Sequence, residues 1–279
     1  MGRTGSNAEK NRGAGAAAPP TSINAGRETA SARHERVDMP SDPWIGRVIR
    51  ERYVVQEKIG AGASGAVYRS RDQRSGERVA VKIIAVDEEE SSPASRSRVE
   101  RFEREVRAAA SLSHPNLVRF IDFVQLGDTH AAVVTEFVEG QTLEELLAAE
   151  GRLPVARALQ IATQVATAMA AVHSRRIIHR DLKPANIIVQ RTQDGRDFCR
   201  VIDFGVVRYA DEPARTQAFL GTPLYASPEQ ATVGEIDHRS DIYSLGAILF
   251  EMLTGLPPFD EQKAFAALVA HARKAPPTL

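Results

Sequence analysis

Eight consecutive residues, His179-Arg180-Asp181-Leu182-Lys183-Pro184-Ala185-Asn186, set two cations around one carboxylate. A surface turn scatters such residues, and a buried segment excludes them because unpaired charge is costly to desolvate. Downstream, Val201-Ile202-Asp203-Phe204-Gly205-Val206-Val207 carries a second carboxylate on the next loop. Asp181, Asn186 and Asp203 thus offer oxygen ligands and a carboxylate base. Magnesium prefers oxygen donors and shares its coordination shell with phosphate. The crowding of charge becomes tolerable if a triphosphate and metal ions complete the balance.

Two further stretches fit that chemistry. Lys82 lies in Val79-Ala80-Val81-Lys82-Ile83-Ile84. If its stem runs through a core, its ammonium needs an anion. Glu105 is the expected partner, because Glu103, two residues away on the same helix, faces elsewhere; an exposed edge-strand lysine is the alternative. In "IGAGASGAV", Ile59 to Val67, Gly60, Gly62 and Gly65 form G-x-G-x-x-G. The dinucleotide-binding version needs a helix directly after the glycines. Here "AVYRSRD" alternates like a strand, so the glycines mark a hairpin tip. Bare backbone at such a tip can approach phosphates and offer them N–H donors; a flexible turn is the plainer reading.

The elements that must position these groups divide the chain into a sheet-rich front and a helix-rich back. Residues 1–44 are poor in large apolar side chains and are expected to be disordered. Extended runs occupy 53–86. An acidic loop at 87–95 leads into a helix over 96–112, with Phe102, Val106, Ala109 and Ala110 near one face. Two strands follow, "HPNLVRFIDFV" and "HAAVVTEFV". Helices are expected over 142–149 and 154–174, a hairpin over 187–202 turning at "TQDGR", a long loop over 206–227, and helices over 239–253 and 262–273. The pattern is α+β, two lobes with a cleft between them: a segment 1–44, an N-lobe 45–138 and a C-lobe 139–279.

Composition narrows the function. Lys plus Arg and Asp plus Glu both number 36, so net charge gives no argument for nucleic acid or an anionic membrane. Cys199 is the single cysteine, so no internal disulfide can form, which fits a reducing, cytoplasmic setting. Its surroundings, "DFCRVIDF", read as a strand entering a core rather than as a reactive thiol. Residues 1–30 lack the apolar stretch of a secretory signal. The runs 161–172 and 242–253 are too short and interrupted to span a bilayer, so no membrane segment is expected. Gly2 and Ser6 match a loose, short myristoylation pattern.

In order and spacing, G-x-G-x-x-G-x-V, V-A-V-K, H-R-D-L-K-P-A-N, D-F-G, G-T-P-x-Y-x-S-P-E and "DHRSDIYSLG" resemble the eukaryotic-like protein kinases over roughly residues 53–274. "IGRVIRERYVVQEKIG" and "SPEQ" look most like the bacterial serine/threonine members. The resemblance implies a protein-kinase-like two-lobe fold, with a small β-rich N-lobe and a larger helical C-lobe lacking its last helices. It implies ATP and Mg²⁺ as cofactors. Ile59, Gly60, Gly62 and Gly65 cover the nucleotide, and Lys82 binds the α- and β-phosphates while pairing with Glu105. Val67, Ala80 and Ile188 sandwich the adenine, whose edge meets backbone around Glu136–Val138, and Thr135 limits the pocket's depth. Asp181 receives or orients the substrate hydroxyl, Lys183 steadies the γ-phosphate, and Asn186 and Asp203 hold magnesium. Asp241 anchors the catalytic-loop backbone.

Lys183 and Gly221-Thr222 point, by the same resemblance, to serine or threonine acceptors on protein substrates. Arg180 implies control by activation-loop phosphorylation, with Thr216 the first candidate and Thr222 the second, and a homodimer could autophosphorylate. Three features depart from the pattern. The sequence stops at "KAPPTL", before the helix that normally supplies an arginine for Glu229. The Asn186–Asp203 interval is long. Ala109 is small where a larger residue often stacks with Phe120, His179 and Phe204. A catalytically impaired, pseudokinase-like ATP-binding scaffold, impaired by the incomplete C-lobe, is the alternative. A small-molecule kinase would lack the long segment between D-F-G and S-P-E.

Overall fold

Alternation of apolar and polar residues in the first half produces an antiparallel sheet with one closed face. The computed structural model describes residues 42–62, 65–85, 112–127, 129–203, 223–232, 234–260 and 263–278. Strands β1 (Val48–Ile49), β2 (Tyr53–Gly62), β3 (Gly65–Asp72), β4 (Arg78–Ala85), β5 (Phe120–Leu126) and β6 (His130–Glu136) form one sheet in the order β1-β2-β3-β4-β6-β5. Tyr53, Val55, Tyr68, Val79, Val81, Ile83, Ala132 and Val134 close its inner face. Residues of β4 and β6 one step out of phase, Ala80, Lys82, Val133 and Thr135, are only partly buried and line the other face.

Arg52 fastens the start of this sheet through a two-pronged pair with Asp72, Nε to Oδ1 at 2.8 Å and Nη2 to Oδ2 at 2.6 Å. That guanidinium holds the buried Asp72 carboxyl far below its ordinary range despite burial. Asp42, the first described residue, is tied to the sheet: it accepts hydrogen bonds from the Tyr68 hydroxyl at 3.0 Å and from the Trp44 N–H at 3.1 Å. The expectation for residues 1–41 lies outside the described residues.

The second half is helical around a small ribbon. Strands β7 (Gln141–Thr142), β8 (Ile187–Arg191) and β9 (Asp197–Val201) pair in that order. Helix α1 (Leu143–Glu150) opens on a capping box between Thr142 and Glu145, which is why it starts one residue later than periodicity alone suggests. Helices α2 (Val155–His173), α3 (Pro228–Thr232), α4 (His238–Thr254) and α5 (Ala264–Arg273) follow. Leu143, Leu146, Ile161, Val165, Leu182, Ile187, Ile248 and Met252 build a core shared by α1, α2, α4 and the ribbon. By length and composition α2 is apolar enough to cross a bilayer. Its inward residues instead pack in this core, and Arg157 near its start pairs two-pronged with the buried Asp197 of β9, with Nε to Oδ2 at 2.6 Å.

The long Asn186–Asp203 interval is the hairpin expected from "TQDGR", with Gly195 left-handed at its turn (φ 76°). The strand expected over 114–124 begins only at Phe120. Residues 116–118 are committed to β9 instead: Val201 N–H donates to the Asn116 carbonyl at 2.9 Å, and Val118 N–H to the Val201 carbonyl at 3.0 Å. Cys199 is fully buried in β9, and burial pushes its thiol up to about 12, so it is a core residue. The expectations for the acidic loop 87–95, for Phe102, Glu103, Glu105, Val106, Ala109 and Ala110, and for Phe204, Thr216, Gly221 and Thr222 lie outside the described residues.

Candidate active site

The open sheet face supplies the first wall. Direct cross-strand partners share a face, and the register pairs Val67 with Lys82, Ala80 with Thr135, and Lys82 with Val133. These five side chains are therefore neighbours above the cleft. Lys82 is 12% exposed, and its Nζ donates to both carboxylate oxygens of Asp203 at 2.6 Å. The expectation that its ammonium needs an anion is met by Asp203 among the described residues. Asp203 adopts a left-handed backbone (φ 58°), a conformation a non-glycine residue holds only when its surroundings enforce it.

The glycine hairpin roofs this wall, and its three glycines differ. Gly65 has φ +122°, and a Cβ there would lie 2.1 Å from the Ile83 carbonyl oxygen, so the sheet itself demands glycine. At Gly60 and Gly62 a Cβ would meet nothing within 4 Å. Among the described residues nothing requires glycine at those two positions, and their bare backbone is open to close approach. Ile59 beside them is 47% exposed, an apolar side chain at the roof.

Residues 136–140 carry the chain from the sheet to the helical half. At Gly140 (φ +136°) a Cβ would come within 2.7 Å of the Val189 carbonyl and 2.9 Å of Ile188 Cγ2. This close crossing lays the chain at Gly140 directly against Ile188, which is buried in β8. Gly140 was not among the residues singled out from sequence. The signal was available, since glycine followed by Gln-Thr and a capping box marks a tight entry into a helix.

The catalytic loop is held from below. Asp241, on α4, is 1% exposed. Its Oδ2 accepts from the His179 N–H at 2.8 Å and from His173 Nε2 at 2.7 Å, and its Oδ1 accepts from the Arg180 N–H at 2.9 Å. Burial opposes its ionisation, but the donors of His173 and of the His179 and Arg180 backbone, with the nearby His179 ring, outweigh it and leave the carboxyl below its ordinary range. Gln230, on α3, donates from Nε2 to the Arg180 carbonyl at 2.7 Å. These bonds fix Arg180 in a left-handed conformation (φ 64°). His173 and Gln230 were not foreseen, because their role depends on a tertiary contact.

From Arg180 the loop runs outward. Leu182 is buried in the core while Asp181 and Lys183, two apart, stay partly exposed, with Lys183 Nζ 2.9 Å from Asp181 Oδ2. Asn186 donates from Nδ2 to the Asp181 carbonyl at 2.7 Å and to its Oδ2 at 3.3 Å. The Asp203 loop is stitched on through Ile202, whose N–H donates to the Asn186 carbonyl at 2.9 Å and whose carbonyl accepts from His179 Nε2 at 3.3 Å. A continuous bonded ladder thus runs Lys82, Asp203, Ile202, Asn186, Asp181, Lys183. Glu229, for which the sequence offers no substitute arginine, accepts a hydrogen bond from the Ser240 hydroxyl on α4.

Among the described residues no group of three or more His, Cys, Asp or Glu side chains is placed to hold a metal ion. One amide oxygen and one carboxylate, Asn186 and Asp203, fit a cation that takes the rest of its shell from phosphate and water. They do not make a self-sufficient protein cage. With the open roof at Gly60 and Gly62, the donor set fits a nucleotide triphosphate with magnesium.

Known proteins share this organisation. The family model described as the protein kinase domain matches residues 53–275. Serine/threonine-protein kinase pkn3 of Myxococcus xanthus is 37% identical over 85% of this chain and 44% of its own length. Serine/threonine-protein kinase pkn2 of the same organism is 39% identical over 82% of this chain and 27% of its own length. Serine/threonine-protein kinase PrkC of Bacillus subtilis is 38% identical over 84% of this chain and 35% of its own length. The chain thus spans less than half the length of these relatives.

Proposed function

We propose that this chain, which belongs to the protein kinase domain family, transfers the γ-phosphate of ATP to serine or threonine hydroxyls of proteins. The observation that carries this is the ladder from Lys82 to Lys183, which joins the sheet to the catalytic loop through side-chain and backbone bonds. Lys82 orients the α- and β-phosphates. A lysine about 4 Å from a phosphate charge contributes on the order of 4 kcal/mol at an effective dielectric near 20. Val67, Ala80 and Ile188 enclose the adenine, Thr135 bounds its pocket, and Glu136–Val138 meet its edge. Ile59, Gly60, Gly62 and Gly65 close over the phosphates.

Asn186 and Asp203 would hold Mg²⁺, which when bound neutralises charge on the phosphate oxygens. Asp181 accepts the acceptor hydroxyl's proton at a carboxylate oxygen, and Lys183 keeps that carboxylate oriented while facing the transferring group. Asp241 and Gln230 hold the loop so that these atoms need no rearrangement during transfer. Autophosphorylation between two copies and a cytoplasmic setting, where ATP and a reduced Cys199 coexist, belong to the same reading.

The test is incubation of the chain with γ-labelled ATP, Mg²⁺ and a generic basic protein, beside Asp181→Asn. Label on serine or threonine that is lost in the variant is expected. Nucleotide binding without any transfer would favour the impaired scaffold instead.

A further inference from the structure

Arg200 stands in β9 directly opposite Ile188 of β8, so both side chains leave the ribbon on one face. Ile188 is the floor assigned to adenine. The Arg200 guanidinium reaches the end of β6, where Nη1 lies 2.9 Å from Glu136 Oε1. The same carboxylate oxygen accepts from the Arg119 N–H at 2.9 Å, and the Glu136 N–H returns a bond to the Arg119 carbonyl at 2.9 Å. Strand β9 is meanwhile fixed to residues 116–118 through Val201. The strand before Asp203, the start of β5 and the end of β6 therefore meet at one carboxylate.

This is more than a solvated pair. Arg200 and Glu136 side chains are 28% and 23% exposed. Arg200 Nε is buried with no hydrogen-bond partner among the described residues, while Phe198 lies under the guanidinium at 5.6 Å. Leaving a buried donor unpaired is unfavourable, and the side chain is held in that position by its other end. Glu136 also begins the stretch whose backbone is assigned to the adenine edge, and Arg200 lies three residues before Asp203.

We infer that the Arg200–Glu136–Arg119 clasp is a positioning device that fixes the width of the adenine slot, locking the 136–138 backbone against the strand bearing Ile188. Arg200 does not touch the nucleotide; it acts through Glu136. The inference rests on the kinase reading for the identity of the ligand. It further ties the base-binding end of the cleft to the Asp203 end through a single strand, β9.

The test measures Mg·ATP and Mg·ADP binding by titration calorimetry for wild type, Arg200→Met, Glu136→Gln and the double variant, with KM and kcat for ATP alongside. Arg200→Met keeps the packed stem, and Glu136→Gln keeps an acceptor for the Arg119 N–H. Each single change is expected to weaken binding about fivefold, as loss of a partly buried ion pair allows. ATP and ADP should lose the same factor, because the effect sits at the base. KM should rise more than kcat falls, the double variant should be no worse than either single one, and Arg200→Lys should recover part of the loss. A merely structural pair would lower melting temperature without this KM bias. Binding within twofold of wild type in both single variants, or losses that multiply in the double variant, would overturn the clasp. If Arg200→Met does not fold, Glu136→Gln decides alone. Wild type that binds nucleotide but transfers no phosphate would sink the kinase reading and leave the clasp measurable; wild type that binds none would overturn both.

Discussion

The floor and the roof of the cleft are built on opposite terms. The catalytic loop is braced by Asp241, Gln230 and Asn186, with Leu182 driven into the helical core beneath it. The glycine hairpin has Gly65 wedged against Ile83, but Gly60 and Gly62 meet nothing among the described residues and Ile59 is exposed. Atoms that take part in bond-making need placement to a fraction of an ångström, and buried hydrogen bonds supply it. A cover for phosphates needs only bare backbone that can approach and withdraw. Precision is thus invested in the floor, and adaptability in the roof.

The largest expected effect breaks the floor at its chemical tip. Asp181→Asn should lower kcat by about 10³-fold, the scale of a lost general base, while calorimetry finds nucleotide binding retained. Removing the brace comes next. Asp241→Ala leaves two backbone donors and His173 without their buried acceptor, so urea unfolding should show a loss of about 3 kcal/mol together with impaired transfer.

The roof should respond in two distinct ways. Gly65→Ala puts a Cβ against backbone at a positive φ and should cost about 1–3 kcal/mol of stability. Gly62→Ala meets none of the described residues and should change stability by less than about 0.5 kcal/mol, yet raise KM for ATP. Equal stability losses at the two glycines would erase the distinction between a structural and a ligand-facing glycine.

The smallest effect concerns α5. His271 is buried; its Nε2 donates to the Leu224 carbonyl at 2.9 Å, which leaves Nδ1 to accept from the Tyr243 hydroxyl at 2.8 Å. Burial holds its pKa below the ordinary 6.5 despite the Leu224 bond. The unfolded chain then binds the extra proton first, so stability is full above pH 6.5 and falls as pH drops beneath it. Melting curves between about pH 7.5 and 5.5 should show this slope, and His271→Gln should flatten it.

How much of this was legible in the sequence follows the range of the interactions. Asp181, Lys183 and Asn186 sit within one short loop, so residue type and spacing revealed them together. The "TQDGR" hairpin and the helices were legible from period and turn residues, with ends shifted by caps such as Thr142. Partnerships across the fold were not. Lys82 demanded an anion, but its stretch of β4 could not say that Asp203, far along the chain, would provide it. The hydroxyl that meets Glu229 was not legible either, because a serine on α4 carries no charge to look for. Arg200 reads as an ordinary strand residue until β8 and residues 136–140 are folded against each other.

The convergence of Lys82 and Asp203 on a nucleotide is tested most directly by thermal melting with and without Mg·ATP. A ligand bound only by the folded chain stabilises it by about 2.7 kcal/mol at a hundred times its Kd. The account predicts a clear upward shift for wild type that is largely lost in Lys82→Met and Asp203→Asn. The same shift in all three proteins would contradict it.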